Sequence, residues 1–230
     1  MKKNKLLTLS LCVLMGTSAV YAEGDRRSDP NEGIYLRVGA GGSFMPALNG
    51  SFVSGSQVIQ QTSTFDHGWD ADAAMGYRFW THYRAELSGG YFYNAMKSNY
   101  SGTTNGQLQD GHGKAYFAFV NGYYNFETKT KFEPYLGLGV GYVRRRYMWE
   151  LINSDPANTF DATHASIGFQ GLAGLSYYFT PQWAMSLDYH YVAATSYTVR
   201  VTSQAGNPAS GIYSVNFATS FINLGVSCRF

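Results

Sequence analysis

Cysteine is nearly absent: the chain has two, Cys12 and Cys228. Cys12 falls in an N-terminal segment expected to be removed, so no internal disulfide can hold the fold. Charge is scarce too. Asp, Glu, Lys and Arg make up 14% of the residues, where a soluble domain carries about 25%. Beyond the N-terminus no long apolar run occurs, whereas a helical membrane protein needs stretches of about 20 apolar residues. Neither an ordinary soluble domain nor a bundle of lipid-embedded helices fits these shortages. No basic cluster is interleaved with aromatics, which argues against a nucleic-acid surface. The five histidines show no metal-ligand spacing such as His-Glu-x-x-His, and no metal or cofactor is expected.

The one apolar run lies at the start. Lys2, Lys3 and Lys5 precede an apolar stretch from Leu6 to Met15, followed by small residues up to Ala22. Ten apolar residues are too few to span a bilayer, and the order of regions is that of a secretory signal peptide, with cleavage expected after Ala22. Its removal takes away three basic residues and no acidic one. The remainder carries fourteen basic against fifteen acidic residues, so the basic balance of the whole chain says nothing about partners. Residues 23–32 are charged, contain Pro30, and are expected to form an unstructured periplasmic lead-in.

What the chain has in quantity is aromatics, 17% of residues with 19 Tyr, and 26 glycines. They fall into a period of two. Ile34, Leu36, Val38 and Ala40 alternate with Tyr35, Arg37, Gly39 and Gly41, which predicts a strand with one apolar and one small or polar face. The same alternation recurs around 69–79, 83–94, 116–126, 136–142, 169–179, 183–191 and 222–230. Segments between them alternate in length: 45–66, 95–112, 149–163 and 193–212 are long, and 80–82, 127–133 and 180–182 are short. Even strand number with tight turns at one end and long loops at the other predicts an all-β, eight-stranded antiparallel up-and-down transmembrane β-barrel over residues 33–230. With the N-terminus periplasmic, the long loops would face outward from the cell.

A soluble β-sandwich or lipocalin-like barrel also alternates, but it buries the apolar face and wets the charged one. Here the charges share the parity of the small residues, and the opposite face is aromatic. That inverted polarity places the apolar face in lipid. The inward candidates are Arg37, Asp70, Asp72, Arg78, Arg84, Glu86, Asp188, His190 and Arg229. They could line an ion path, but an eight-stranded interior is just wide enough for side chains to fill it. The favoured expectation is a structural network of charges paired across the lumen. The stripe Gly137, Gly139, Gly141 is expected to leave room for larger lumen side chains and not to cradle phosphate.

The alternation ending in Phe230 resembles the C-terminal signature by which the barrel-assembly machinery recognises outer-membrane barrels. The segments 121–126 (NGYYNF) and 134–142 (PYLGLGVGY) are similar to strands of opacity-type barrels related to the OmpA transmembrane domain. The resemblance implies a monomeric protein of a Gram-negative outer membrane. It leaves activity open, because the family includes adhesins, structural anchors, small-solute channels and surface antigens. Cys228 departs from the aromatic often found two places before the terminal Phe. No peptidoglycan-binding domain follows Phe230, so a cell-wall tether is not expected.

The expected role is therefore a surface-exposed structural or adhesin-like protein binding a host or surface ligand through its long polar loops; the alternative is a narrow pore. Arg144 and Arg146 point outward by parity, where they could meet lipopolysaccharide phosphates. His164 and Ser166 share a face, and a His-x-Ser pair occurs in small outer-membrane lipid A deacylases. No Glu follows Glu150, Asp188 would have to complete the triad, and both side chains point inward. No enzyme is expected.

Overall fold

The structure is a computed structural model that describes residues 32–54, 57–101, 104–106, 108–151, 160–202 and 210–230. The expected signal peptide and the lead-in up to residue 31 lie outside these residues. Eight strands form a closed antiparallel ring: β1 (Gly33–Phe44), β4 (Gly68–Phe79), β5 (Tyr83–Ser101), β7 (Leu108–Asn125), β8 (Phe132–Leu151), β9 (Phe160–Tyr178), β10 (Trp183–Thr202) and β11 (Ser210–Arg229). Each pairs with the next, and β1 closes the ring on β11 from Tyr35 opposite Arg229 to Phe44 opposite Ser220. Closure is what hydrocarbon requires, since no sheet edge can be left unpaired there.

The period of two gives every strand a lipid face and a lumen face. On β1, Ile34, Leu36 and Val38 are exposed while Tyr35 and Arg37 are buried. The exposed band continues through Met75, Leu87, Val120, Leu138, Leu187 and Leu224. Aromatic rings bound it at both ends. Near the tight turns, Trp80 and Tyr83 pack edge to face with centroids 6.1 Å apart, and Tyr124 lies 5.4 Å from Tyr83. Trp69, Tyr91 and Tyr116 form the opposite belt. Eight residues of β5 separate Tyr83 from Tyr91, about 26 Å of strand. That spacing matches a tilted crossing of the apolar band.

The long connections are mostly not loops. Six of the ring strands run for 18 to 20 residues, where about 9 to 11 suffice to cross the bilayer. The β8–β9 ladder continues to Trp149 opposite Phe160, and β10–β11 to Thr202 opposite Ser210. Within 45–66, β2 (Leu48–Ser54) and β3 (Gln57–Phe65) form a hairpin whose second strand pairs with β5. A short β6 (Thr104–Gly106) folds back on the end of β5. Beyond the lipid no face has to be apolar, so the alternation fades from the sequence while the backbone ladder carries on. The short turns stand where the pattern puts them. In the first, Trp80 holds a left-handed backbone (φ 57°) and its amide donates to Glu32 Oε1 at 3.0 Å.

Inside, bulky and vanishing side chains face each other across the ladders. On β7 and β8, Tyr123 is opposite Gly137, Asn121 opposite Gly139 and Phe119 opposite Gly141. A Cβ on any of these glycines would run into the residue across from it. Gly76 and Gly174 make the same room for Tyr35 and Tyr135. The glycine stripe thus serves lumen packing. Gly122 is the contrast, for it faces lipid and a Cβ there meets nothing within 4 Å.

Gly139→Val should therefore destabilise the barrel by about 1–3 kcal/mol through overpacking, while Gly122→Val stays within about 0.5 kcal/mol of the parent. Urea midpoints of the heat-modifiable folded form in lipid vesicles measure both. Equal midpoints for the two variants would contradict the packing account.

Candidate functional site

The lumen is the only place where ring strands bring many polar side chains together among the described residues, and it is stratified along the barrel axis. At the tight-turn end, Arg78 of β4 forks onto Glu133 of β8 through two contacts of 2.8 Å, and its Nη1 also donates to the Tyr178 hydroxyl at 3.2 Å. A bidentate guanidinium–carboxylate pair fixes orientation as well as distance. Arg229 of β11 stands at the same end, lining one groove with Glu133 and Tyr178. It donates to the Pro181 carbonyl at the rim.

One layer further in, the Arg84 guanidinium lies 4.1 Å from the Tyr123 ring centroid and 4.2 Å from that of Tyr135. Out of water such a cation–π contact contributes about 2 kcal/mol. Glu86 accepts from the hydroxyls of Tyr35 and Tyr123, each at 2.8 Å, and sits 3.6 Å from Arg37. Arg37 is the hub. Its Nη2 lies 2.5 Å from Asp72 and its Nη1 3.4 Å from Asp188, and all three are buried. Ser186 donates to Asp188 at 2.8 Å. Asn223 bridges Asp70 and Asp72, donating at 2.6 and 3.3 Å. Carboxyls here outnumber guanidiniums, and the surplus is held by hydroxyl and amide donors. His190 Nδ1 meets the Gln170 amide at 2.5 Å.

Above the charges the lumen turns apolar. Phe92, Phe119, Phe221, Val143 and Val192 are fully buried and pack with Phe117 and Phe217. Phe221 lies 5.3 Å from Phe92 and 5.8 Å from Phe117. Over this plug, Arg145 donates to Ser166 at 2.8 Å and to the Thr195 carbonyl at 3.0 Å, with its guanidinium 5.0 Å from the Phe217 ring. Ser43 and Asn94 bond each other beside it.

The charges singled out in the sequence therefore divide. Arg37, Asp70, Asp72, Glu86 and Asp188 meet in one network with Arg84 against its tyrosines; Arg78 closes one end; His190 sits at the boundary with the plug; Arg229 is at the rim. Sequence reasoning missed Glu133, which lies in a segment taken for a connection. It also missed Asn223, and the tyrosines that solvate Arg84 and Glu86. Their signal was present as inward parity opposite glycine. His164 and Ser166 point inward, but Ser166 is engaged by Arg145. Asp188 pairs with Gly174, ten residues along β9 from His164, about 33 Å of strand. No His–Ser–Asp triad is assembled. Arg144 and Arg146 stand on the outer parity of β8, on either side of buried Arg145.

The profile of the outer membrane protein beta-barrel domain matches residues 8–230. Comparison with curated proteins gives no match. Among solved structures, the chain is similar to outer membrane protein OprG from Pseudomonas aeruginosa at 18% identity, with 86% of this chain and 97% of that one covered and a TM-score of 0.60. A major outer membrane protein from Thermus thermophilus follows at 14% identity, 86% and 99% coverage, and TM-score 0.56. The outer membrane protease OmpT from Escherichia coli gives 11% identity, 90% and 99% coverage, and 0.54. At these identities the likeness is one of fold.

Arg37→Ala leaves three buried carboxyls without their hub, and breaking a buried ion pair costs about 3–5 kcal/mol. The variant should lose most of its urea resistance, whereas Arg229→Ala at the rim should stay within about 1 kcal/mol of the parent. Refolding into vesicles followed by heat-shifted electrophoresis checks both. A stable Arg37→Ala barrel would show that the network is not what holds the lumen.

Proposed function

The chain belongs to the outer membrane protein β-barrel family and is a protein of the outer membrane, and we propose that within this family it is a surface-exposed structural or adhesin-like barrel. The observation that carries this reading is the filled lumen. A solute crossing the lumen would have to pass both the layers of paired charges and the plug of phenylalanines, and an eight-stranded ring has no width to spare around them.

The strand extensions support the second half of the reading. They carry the ladders well beyond the apolar band on one side only, as a platform for polar tips. In the orientation we infer, these tips face the medium and the N-terminus is periplasmic. A binding partner, whether a host or another surface ligand, would be met there. An enzymatic role gains no support from these residues, since His164 and Ser166 share a face but Asp188 lies far along the barrel from both and Ser166 is engaged by Arg145.

Purified protein in planar bilayers is expected to give no stable conductance, and Phe117→Ala combined with Phe221→Ala is expected to raise leakage by thinning the plug. Well-defined single-channel steps from the parent protein would overturn the reading in favour of a narrow pore. Surface labelling of intact cells at the hairpin tips tests the orientation separately.

A further inference from the structure

Above the lipid the barrel wall parts between β9 and β10. The ladder that joins them runs from Ala184 opposite Tyr178 to Ala194 opposite Gly168 and stops there. Each strand then continues in a different hairpin, β9 paired with β8 as far as Phe160 opposite Trp149, and β10 paired with β11 as far as Thr202 opposite Ser210. A bulge marks the branch point. The register of β10 on β11 shifts between Ala194 and Tyr197, and a bulge bends the strand that carries it. The base of the split is held by Arg145, which donates to the Thr195 carbonyl at 3.0 Å, and by the Thr195 hydroxyl, which reaches the Ile167 carbonyl at 3.5 Å. Beyond it, among the described residues, no strand pairs with 160–167 of β9 or 195–202 of β10 on the sides that face the split.

Hydrocarbon does not tolerate unpaired edges of this kind. Tyr189 and Tyr191 are exposed on the lipid face of β10, and the split begins three residues past Tyr191, about 10 Å further along the strand. Its edges thus stand beyond the apolar band, on the side of the polar tips. Other upper strands have company: the end of β5 pairs with β3 and β6, and β2 lies alongside β11. Edge strands that have to stay single are commonly guarded by proline or lysine. The stretches 160–167 (FDATHASI) and 195–202 (TSYTVRVT) contain neither. The second consists mostly of Thr, Val and Tyr, the residue types that favour strands.

We propose that the free edge of β10 is a docking site for an extended polypeptide segment of a partner, which adds to it as an antiparallel strand. The backbone sets the chemistry of the occupant. An unpaired edge is a row of N–H and C=O groups, and another extended chain repeats donors and acceptors at the matching spacing. A second copy in the same membrane does not fit β10 to β10, because the two strands would run in the same direction. The proposal rests on the adhesin-like reading and names its mode of contact as main-chain pairing.

The probe is an alternating Thr-Val octapeptide with a soluble tail and a terminal diazirine, added to the full barrel in detergent. It should bind, and its photo-cross-links should fall within 160–167 and 195–202. A strand added at one edge uses one side of its own backbone. N-methylation of one alternate set of peptide amides should therefore weaken binding by about tenfold or more, and methylation of the other set should leave it within about twofold. Absence of binding by the parent peptide, equal binding of all three peptides, or cross-links elsewhere on the barrel overturns the site. Loss with both methylated sets overturns pairing to β10 alone. A protein that sediments as a dimer unable to take the peptide gives the edge to a second copy and overturns the partner. All three peptides meet the same folded protein, so no variant has to fold. Peptide binding in detergent depends neither on conductance nor on surface labelling, so failure here and failure of the adhesin-like reading are told apart.

Discussion

A strand in hydrocarbon has no water to satisfy its amides, so every backbone group within the membrane must find a partner in the protein. The ladder between β1 and β11 meets that requirement for the last two free edges. Everything else follows from closing the ring at eight. The number sets an interior barely wider than its side chains, and the alternation of each strand then divides the residues into those that fill this interior and those that meet lipid.

Filling so narrow a space with charged groups is costly unless each is matched. The barrel meets that cost in three ways. Carboxylates and guanidiniums pair around Arg37, tyrosine rings and hydroxyls solvate Arg84 and Glu86, and glycines opposite the bulky groups make the arrangement sterically possible. Toward the other end phenylalanine and valine fill the lumen, with the single guanidinium of Arg145 above them. Polar and apolar filling are two solutions of one packing problem, stacked on the same axis.

The membrane-crossing part of this architecture was legible because lipid imposes a strict rule on the sequence. Ile34, Leu36 and Val38 had to be apolar and Arg37 had to point away from them, so strand identity, facing and number could all be read. Where the rule lapses, legibility lapses with it. The extensions of β5, β8 and β10 looked like loops because their outer faces are free to be polar. The lumen partners were less legible for another reason. Parity says that Arg37, Asp72 and Asp188 point inward, but which of them meet depends on the shear and tilt of strands far apart in sequence. Glu133 was overlooked because it ends the segment 127–133, which reads as a short connection, and Asn223 because an amide looks neutral until two carboxylates are placed against it. Arg144 and Arg146 were assigned outward from parity alone, and they stand there on either side of buried Arg145.

The closing ladder also has a kinetic meaning. Every other ring contact joins strands adjacent in the chain or separated only by a short hairpin, whereas Tyr35 meets Arg229 across nearly the whole sequence. The entropy of bringing such distant partners together is lost before any of their hydrogen bonds forms. A growing sheet from β4 to β10 can assemble by local steps, but it remains a curved ribbon with two open edges until the final strand arrives. The commitment of the barrel to one folded state is thus concentrated in a single late event at the seam between its first and last strands.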